Sequence, residues 1–235
     1  GLAGLLFIAS LLTGPSGIGI GESLRALFDP EPGQEALALV MREIRLPRAL
    51  LGLMVGASLG LAGAVLQGYL RNPLAEPGLI GVSGAASVGA VLAFYTGLAT
   101  LAPLALPLMA LAGALLAVVL VFAIAGRRGG SLTVILAGIA VSSLAGALVS
   151  LTLNLSVNPF AAYEIMFWLL GSLADRSMQH VALAAPFMVA GWLLLALTAR
   201  SLDALTLGDD AAAALGVRLG LVRLLAVLGT ALAVG

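Results

Sequence analysis

The feature that most constrains this chain is a run of fifty residues without a charged side chain, from Pro77 to Gly126. The hydrocarbon core of a bilayer is about 30 Å thick, so a helix needs roughly 20 apolar residues to cross it. Fifty residues are enough for two crossings and a turn, and Pro103 and Pro107 mark where that turn could fall. The run therefore predicts a helical protein embedded in a membrane.

Composition excludes several classes of function. The chain is 61% hydrophobic and 9% charged, against about 25% charged residues in an ordinary soluble domain. Eleven basic residues balance eleven acidic ones, which gives no basic surface for nucleic acid. The chain has no cysteine, so cysteine-ligated zinc and thiolate catalysis are excluded. It also has no lysine, so it cannot build the lysine-containing phosphate loop of an ATPase.

The distribution of apolar residues predicts an all-α fold, a polytopic transmembrane helix bundle with about seven spans. The predicted spans are 1–13, 49–70, 78–98, 104–125, 132–155, 179–199 and 219–235. Residues 14–48 are predicted to form a loop outside the bilayer, because they hold several charges and the turn signals GPSG at 14–17 and DPEPG at 29–33. Residues 200–218 are predicted to lie in water. Residues 159–173, which contain Glu164, are predicted to form a short interfacial or half-crossing helix. We expect one transmembrane domain over 1–235 that is incomplete at its C-terminus and at its N-terminus.

Charge does not set the orientation of these spans. One set of predicted loops holds six arginines and the opposite set holds five, which is too even for the positive-inside rule. The six are Arg71, Arg127, Arg128, Arg200, Arg218 and Arg223, and the five are Arg25, Arg42, Arg45, Arg48 and Arg176.

Small residues recur every four positions in two predicted spans, and they share one helix face in each. They are Gly52, Gly56 and Gly60 in one span, and Gly138, Ser142, Gly146 and Ser150 in another. Small residues allow helices to approach closely in lipid. Two interpretations stay open: tight static packing, or faces that slide or line a pathway.

The sequence offers no catalytic or metal site. His180 is the only histidine, and Glu76 and Glu164 are too far apart in sequence to predict an acid–base pair. An ion-coupled carrier usually has ionisable residues at membrane depth, and the long predicted spans carry none. An external motor is therefore favoured, with an ion-coupled secondary transporter as the alternative and a membrane scaffold or intramembrane enzyme as a further one.

A family resemblance is carried by residues 44–90, which read IRLPRALLGLMVGASLGLAGAVLQGYLRNPLAEPGLIGVSGAASVGA. This stretch closely resembles the permease family of type II ABC importers for ferric siderophores, haem and cobalamin. VILAGIAVSS at 134–143, YEIMFWLLGSL at 163–173 and LDALTLGDDAAAALGVRL at 202–219 also resemble that family. The family continues past its seventh helix with about three more, which this chain does not contain.

The resemblance implies the partners and the mechanism. Two permeases, as a homodimer or as close paralogues, would pair around a pathway in the bacterial or archaeal inner membrane. Two cytoplasmic ATPases would hold ATP and Mg, and this chain would bind no cofactor. A periplasmic or lipoprotein binding protein would deliver an iron chelate (ferric siderophore or haem) or cobalamin, and alternating access would carry it across.

The resemblance also implies roles for individual residues. The residues that would couple to the ATPase are Leu205, Leu207, Gly208, Asp209, Asp210, Ala211, Ala214, Leu215 and Gly216, and those that would dock the binding protein are Arg45 and Arg48. Ser131 and Leu132, in the GGSLT turn at 129–133, would form the cytoplasmic gate, and the pathway would be lined by Ser142, Ser143, Ser150 and Asn154. A structural corner would be formed by Asn72, Pro73, Glu76 and Pro77. Structural alternatives stay open for these groups: a plain connector, interfacial anchoring by arginine, and helix–helix hydrogen bonding.

Overall fold

A computed structural model describes residues 1–12, 19–28, 33–102, 104–126, 130–156 and 159–235, with the side chains of 159–161 and Glu164 left out. Within these ranges the chain forms helices and no strand. The α-helices are α1 (Leu2–Leu12), α2 (Ile20–Phe28), α3 (Glu35–Leu39), α4 (Leu46–Leu70), α5 (Val82–Tyr95), α6 (Leu98–Leu101), α7 (Ala105–Ala125), α8 (Ser131–Leu155), α9 (Pro159–Leu169), α10 (Met178–Ala196), α11 (Ala199–Leu205), α12 (Asp209–Ala214) and α13 (Leu219–Val234). A π-helical turn covers Val40–Arg45, and a 3₁₀ helix covers Pro77–Ile80.

Seven apolar helical segments within the described ranges match the seven predicted spans. Four are long and apolar enough to cross a membrane: Glu35–Leu70, Ala105–Ala125, Ser131–Leu155 and Met178–Ala196. Three are shorter: Leu2–Leu12, Val82–Tyr95 and Leu219–Val234. The predicted fold class, a polytopic helical membrane protein, is therefore confirmed.

The prediction of a loop over 14–48 is wrong over Ile20–Phe28 and from Glu35 onward, where the structure has helices. Helix α2 carries Glu22 in its first turn and Arg25 in its last, which complements the helix dipole at both ends. Its Ser23 and Ala26 are buried. Glu22 and Arg25 are therefore on the exposed side of an amphipathic helix. The GPSG sequence at 14–17 and residues 29–32 of the DPEPG sequence lie outside the described residues.

The second long helix also begins earlier than predicted, at Glu35 instead of Ala49. Pro47 should oppose this, because a proline inside a helix has no N–H and its ring clashes with the carbonyl four residues back. The π-helical turn immediately before it, in which the Leu46 N–H bonds to the Met41 oxygen, gives the wider local geometry that often accompanies such an interruption. The helix thus continues through the RLPR sequence.

The predicted span at 78–98 is interrupted at Gly81. This residue has φ +81° and separates the 3₁₀ helix from α5. A Cβ atom there would lie 2.8 Å from the Gly138 oxygen and 2.9 Å from Val141 Cγ1. Glycine is therefore required both for the left-handed backbone and for the close contact with α8.

The described residues form two compact units, and their boundaries fall within α4 and α10. The first unit comprises Gly1–Ala57 and Ser172–Pro186. Its core contains Leu11, Ala26, Met41 and Ala49. The expectation of a single domain over 1–235 stays a prediction.

The second unit comprises Ser58–Gly171 and Phe187–Gly235. Its core is rich in alanine and valine from α5, α7 and α8. Helices α5 and α7 meet through reciprocal glycines, because Gly89 contacts the backbone of Met109 and Gly113 contacts the backbone of Ala85. Such close approach lets dispersion forces hold helices together where lipid gives no hydrophobic drive for association.

Candidate coupling site and pathway

The predicted coupling segment folds as two short helices, α11 and α12, joined by a tight turn. Gly208 has φ +102° and Gly216 has φ +87°, so both occupy backbone regions that favour glycine. Helix α12 ends in a Schellman motif, in which Val217 N bonds to Ala212 O at 3.0 Å and Gly216 N to Ala213 O at 2.9 Å. The glycines thus fix where the segment turns at each end of α12.

The coupling segment packs one face inward and presents the other. Leu205 and Ala212 are 2% and 0% exposed and belong to the core of their unit. Leu207 and Leu215 are 67% and 66% exposed. Two exposed leucines on a firmly packed segment that also carries exposed charge are typical of a surface that a partner covers. Asp210 is also exposed.

The structure adds Arg71 to the coupling segment, a residue that the sequence did not assign to it. Arg71 Nη2 donates to Asp209 Oδ1 at 2.7 Å, and both side chains are a little under half exposed. Arg71 also lies next to Gly208, and its own φ is +50°. The pair is separated by 138 positions in sequence, so no motif spacing could have indicated it.

The predicted corner, 72–77, is rigidly hydrogen-bonded. Asn72 Oδ1 accepts from Leu74 N at 2.9 Å, and Ala75 N donates to Asn72 O at 3.1 Å. Gln67 Nε2 donates to Pro73 O at 3.1 Å and ties the corner back to α4. Pro77 begins the 3₁₀ helix, where its missing N–H has no helical partner to lose. This geometry fits the structural role predicted for the corner.

Three of the four predicted pathway residues share one exposed face of α8. Ser143, Ser150 and Asn154 are exposed, and their spacing of seven and four places them along one stripe. The packed face of α8, Val134, Ala137, Gly138, Val141 and Ala145, lies on the opposite side of the helix. Ser142 lies to one side and donates to Gly78 O at 3.4 Å, which is helix packing rather than an open wall.

The predicted gate residues begin this same helix. Ser131 and Leu132 are the first two residues of α8, after an extended Gly130, so the GGSLT turn is shorter than the sequence suggested. Leu132 is 67% exposed and lies on the same stripe as Ser143 and Ser150. Gly129, Arg127 and Arg128 lie outside the described residues.

The two arginines predicted to dock a binding protein differ in exposure. Arg48 is exposed, whereas Arg45 is 9% exposed and donates from Nη1 to Leu12 O at 3.3 Å. A buried guanidinium that bonds a backbone carbonyl within its own unit is held in place by that contact. In this conformation Arg48 is the one that an outside protein can reach.

Arg223, which the sequence placed with the loop arginines, lies inside α13 and is 5% exposed. Its Cζ atom lies 5.3 Å from the centroid of the Phe122 ring on α7, within range of a cation–π interaction. The assignment to a loop is therefore wrong. The aromatic face of Phe122 and the neighbouring helices stabilise the guanidinium inside the bundle. A count of charges along the sequence cannot detect these contacts.

Comparison with known proteins gives the family. Residues 2–235 match the FecCD transport family. YvrB of Bacillus subtilis, described as an uncharacterized ABC transporter permease protein, is 42% identical over 76% of this chain and 51% of its own length. The cobalamin import system permease protein BtuC of Halobacterium salinarum is 42% identical over 78% of this chain and 49% of its own. The chain thus spans about half the length of these two relatives.

Two further matches cover nearly the whole chain. The ferric enterobactin transport system permease protein FepD of Escherichia coli is 38% identical over 97% of this chain and 69% of its own length. A solved structure, described as an inward-facing conformation of a metal-chelate type ABC transporter, superposes with a TM-score of 0.79 at 30% identity, over 99% of this chain and 70% of that one. From its fold and these matches, the chain belongs to the FecCD transport family.

Proposed function

We propose that this chain is part of the transmembrane permease subunit of an ABC importer. One observation carries the proposal: in a chain of this family, α11 and α12 pack firmly through Leu205 and Ala212 while Leu207 and Leu215 stay exposed. A mobile connector would need neither turns fixed by glycine at each end of α12 nor an inner face packed against the core. A segment that transmits force from an ATPase needs both, because a soft link would absorb the motion.

We propose that the substrate is a metal chelate of the siderophore or cobalamin class. The relatives include permeases named for cobalamin and for ferric enterobactin, and this chain is similar to both. The stripe of Ser143, Ser150 and Asn154 on α8 supports this class, since a weakly polar wall lets a bulky polar ligand pass without holding it. Haem is a further member of the same substrate range.

The assembly we propose has two permease subunits, two ATPase subunits that bind ATP and Mg, and a binding protein on the opposite side. The permease would sit in the cytoplasmic membrane of a bacterium or archaeon. ATP binding would close the ATPase dimer, α11 and α12 would follow, and the permease pair would exchange its outward-open state for an inward-open one. Ser131 and Leu132, at the start of the α8 stripe, would lie at the cytoplasmic gate.

The test is ATP-driven uptake by the purified full-length protein, its ATPase and its binding protein in proteoliposomes. We expect accumulation of cobalamin or a ferric siderophore that stops when the ATPase carries a glutamine in place of its catalytic glutamate. An ionophore that collapses ion gradients should leave uptake unchanged. Uptake that survives the inactive ATPase but is abolished by the ionophore would replace this proposal with an ion-coupled secondary transporter.

A further inference from the structure

The corner after α4 presents an exposed leucine close to the coupling segment. Leu74 is 84% exposed, more than any other large hydrophobic residue in the described part of the chain. Its backbone N–H is held by Asn72 Oδ1, and the neighbouring Pro73 carbonyl is held by Gln67. The hydrogen bonds of the turn therefore hold Leu74 in an exposed position, so its exposure does not come from a flexible loop.

Leu74 lies at the level of the aqueous phase. Arg71, three residues before it, pairs with Asp209 while both side chains remain more than two-fifths exposed, and such a half-exposed ion pair requires water or polar headgroups around it. Arg71 also lies 3.8 Å from the position of a Cβ on Gly208. The corner and the start of α12 are thus adjoining parts of one polar surface.

We infer that Leu74 belongs to the ATPase-docking surface, which then has two parts: Leu207 and Leu215 from the coupling segment, and Leu74 from the corner. This rests on the proposed function. The occupant is the ATPase subunit, because the exposed leucine adjoins the segment that the ATPase would engage, and three leucines in a polar setting fit an apolar groove with a polar rim.

The same geometry gives Asp209 a role different from that of Asp210. Asp209 Oδ1 is occupied by the Arg71 guanidinium at 2.7 Å, so its carboxylate joins the two parts of the surface. Asp210, one position further along a helix, points about 100° away and is exposed. Arg71 and Asp209 are therefore positioning residues that keep Leu74 in register with α12, and Asp210 is free to contact the partner.

Cysteine accessibility tests the inference, because residues 1–235 contain no cysteine. Leu74→Cys, Leu215→Cys and Leu101→Cys are placed singly in the full-length permease with any other cysteine removed. Each is treated with a membrane-impermeant maleimide that reaches both faces of permeabilised vesicles, with and without the bound ATPase. Leu101 is 80% exposed and lies beyond the far end of α5 from the corner, so it is the matched control.

We expect the ATPase to slow labelling of Leu74→Cys and Leu215→Cys at least about fivefold, as an interface core excludes water, and not to change labelling of Leu101→Cys. Protection of Leu215→Cys without protection of Leu74→Cys would overturn the inference and leave the proposed function standing. Protection of neither would overturn both. Failure of Leu74→Cys to react in the absence of the ATPase would place it in lipid and refute the docking role.

The positioning role has its own readout. Asp209→Arg should lower ATP-driven uptake several-fold while ATP hydrolysis continues, because α12 would repel Arg71. The double variant Arg71→Asp with Asp209→Arg restores the ion pair in reverse, and we expect it to recover most of the uptake. If the double variant transports no better than Asp209→Arg alone, the carboxylate is not a link between the two parts of the surface.

Discussion

Substitution of Gly138 by alanine is predicted to destabilise the protein strongly. Gly138 lies on the packed face of α8, and a Cβ atom there would contact Leu79 O and lie 2.8 Å from Ile80 Cα. Both are backbone atoms of the 3₁₀ helix, so no side-chain rotation can relieve the clash, and the two elements must separate. Overpacking of this kind costs about 1–3 kcal/mol, while the gain in helix propensity returns at most about 1 kcal/mol.

Gly146 gives the matched control in the same helix. A Cβ at Gly146 would meet nothing within 4 Å, and the same holds for Gly63 in α4. Each alanine adds the same methyl group, so only the surroundings differ. Alanine at either control position should be neutral or stabilise by up to about 1 kcal/mol through helix propensity. The gain in helix propensity is common to all three variants and cancels, so the free energy of unfolding of Gly138→Ala should be about 1–3 kcal/mol lower than that of either control.

The measurement is equilibrium unfolding of the full-length protein in mixed micelles, followed by far-ultraviolet circular dichroism as the fraction of denaturing detergent rises. For a chain of this size a loss of 1 kcal/mol lowers a thermal midpoint by about 2–4 °C, so a melting curve gives an independent check. If Gly138→Ala unfolds at the same detergent fraction as Gly146→Ala, the close approach of α8 to the 3₁₀ helix is wrong.

Three further experiments test other contacts. Arg48→Glu should abolish most stimulation of ATP hydrolysis by the binding protein without lowering the yield of folded protein. Arg45→Glu should lower the yield of folded protein. Equal yields of the two variants would contradict the buried position of Arg45. Leu215→Glu should weaken ATPase binding about tenfold or more, measured by co-purification titration. A double-mutant cycle of Phe122→Leu with Arg223→Met should give a coupling of about 0.5–2 kcal/mol, and zero coupling would rule out the stacking.

The sequence predicted the apolar helices because the signal is local. A helix that crosses lipid must satisfy its own backbone and offer apolar side chains at almost every position, so length and hydropathy suffice. The same is true of α12, where two acidic residues at its start, four alanines and Gly216 at its end all favour a short helix. Its partner, the Arg71 guanidinium, could not be predicted, because nothing local joins positions 138 apart.

The errors at charged residues have one physical cause. A charge can lie in a loop, on the wet side of an amphipathic helix or inside a bundle, depending on the groups around it. Phe122 lies beneath the Arg223 guanidinium inside the bundle, and the Leu12 carbonyl accepts a hydrogen bond from buried Arg45. Once Arg223 leaves the loop set, the arginine count becomes five against five, so charge bias still does not set the orientation of the spans.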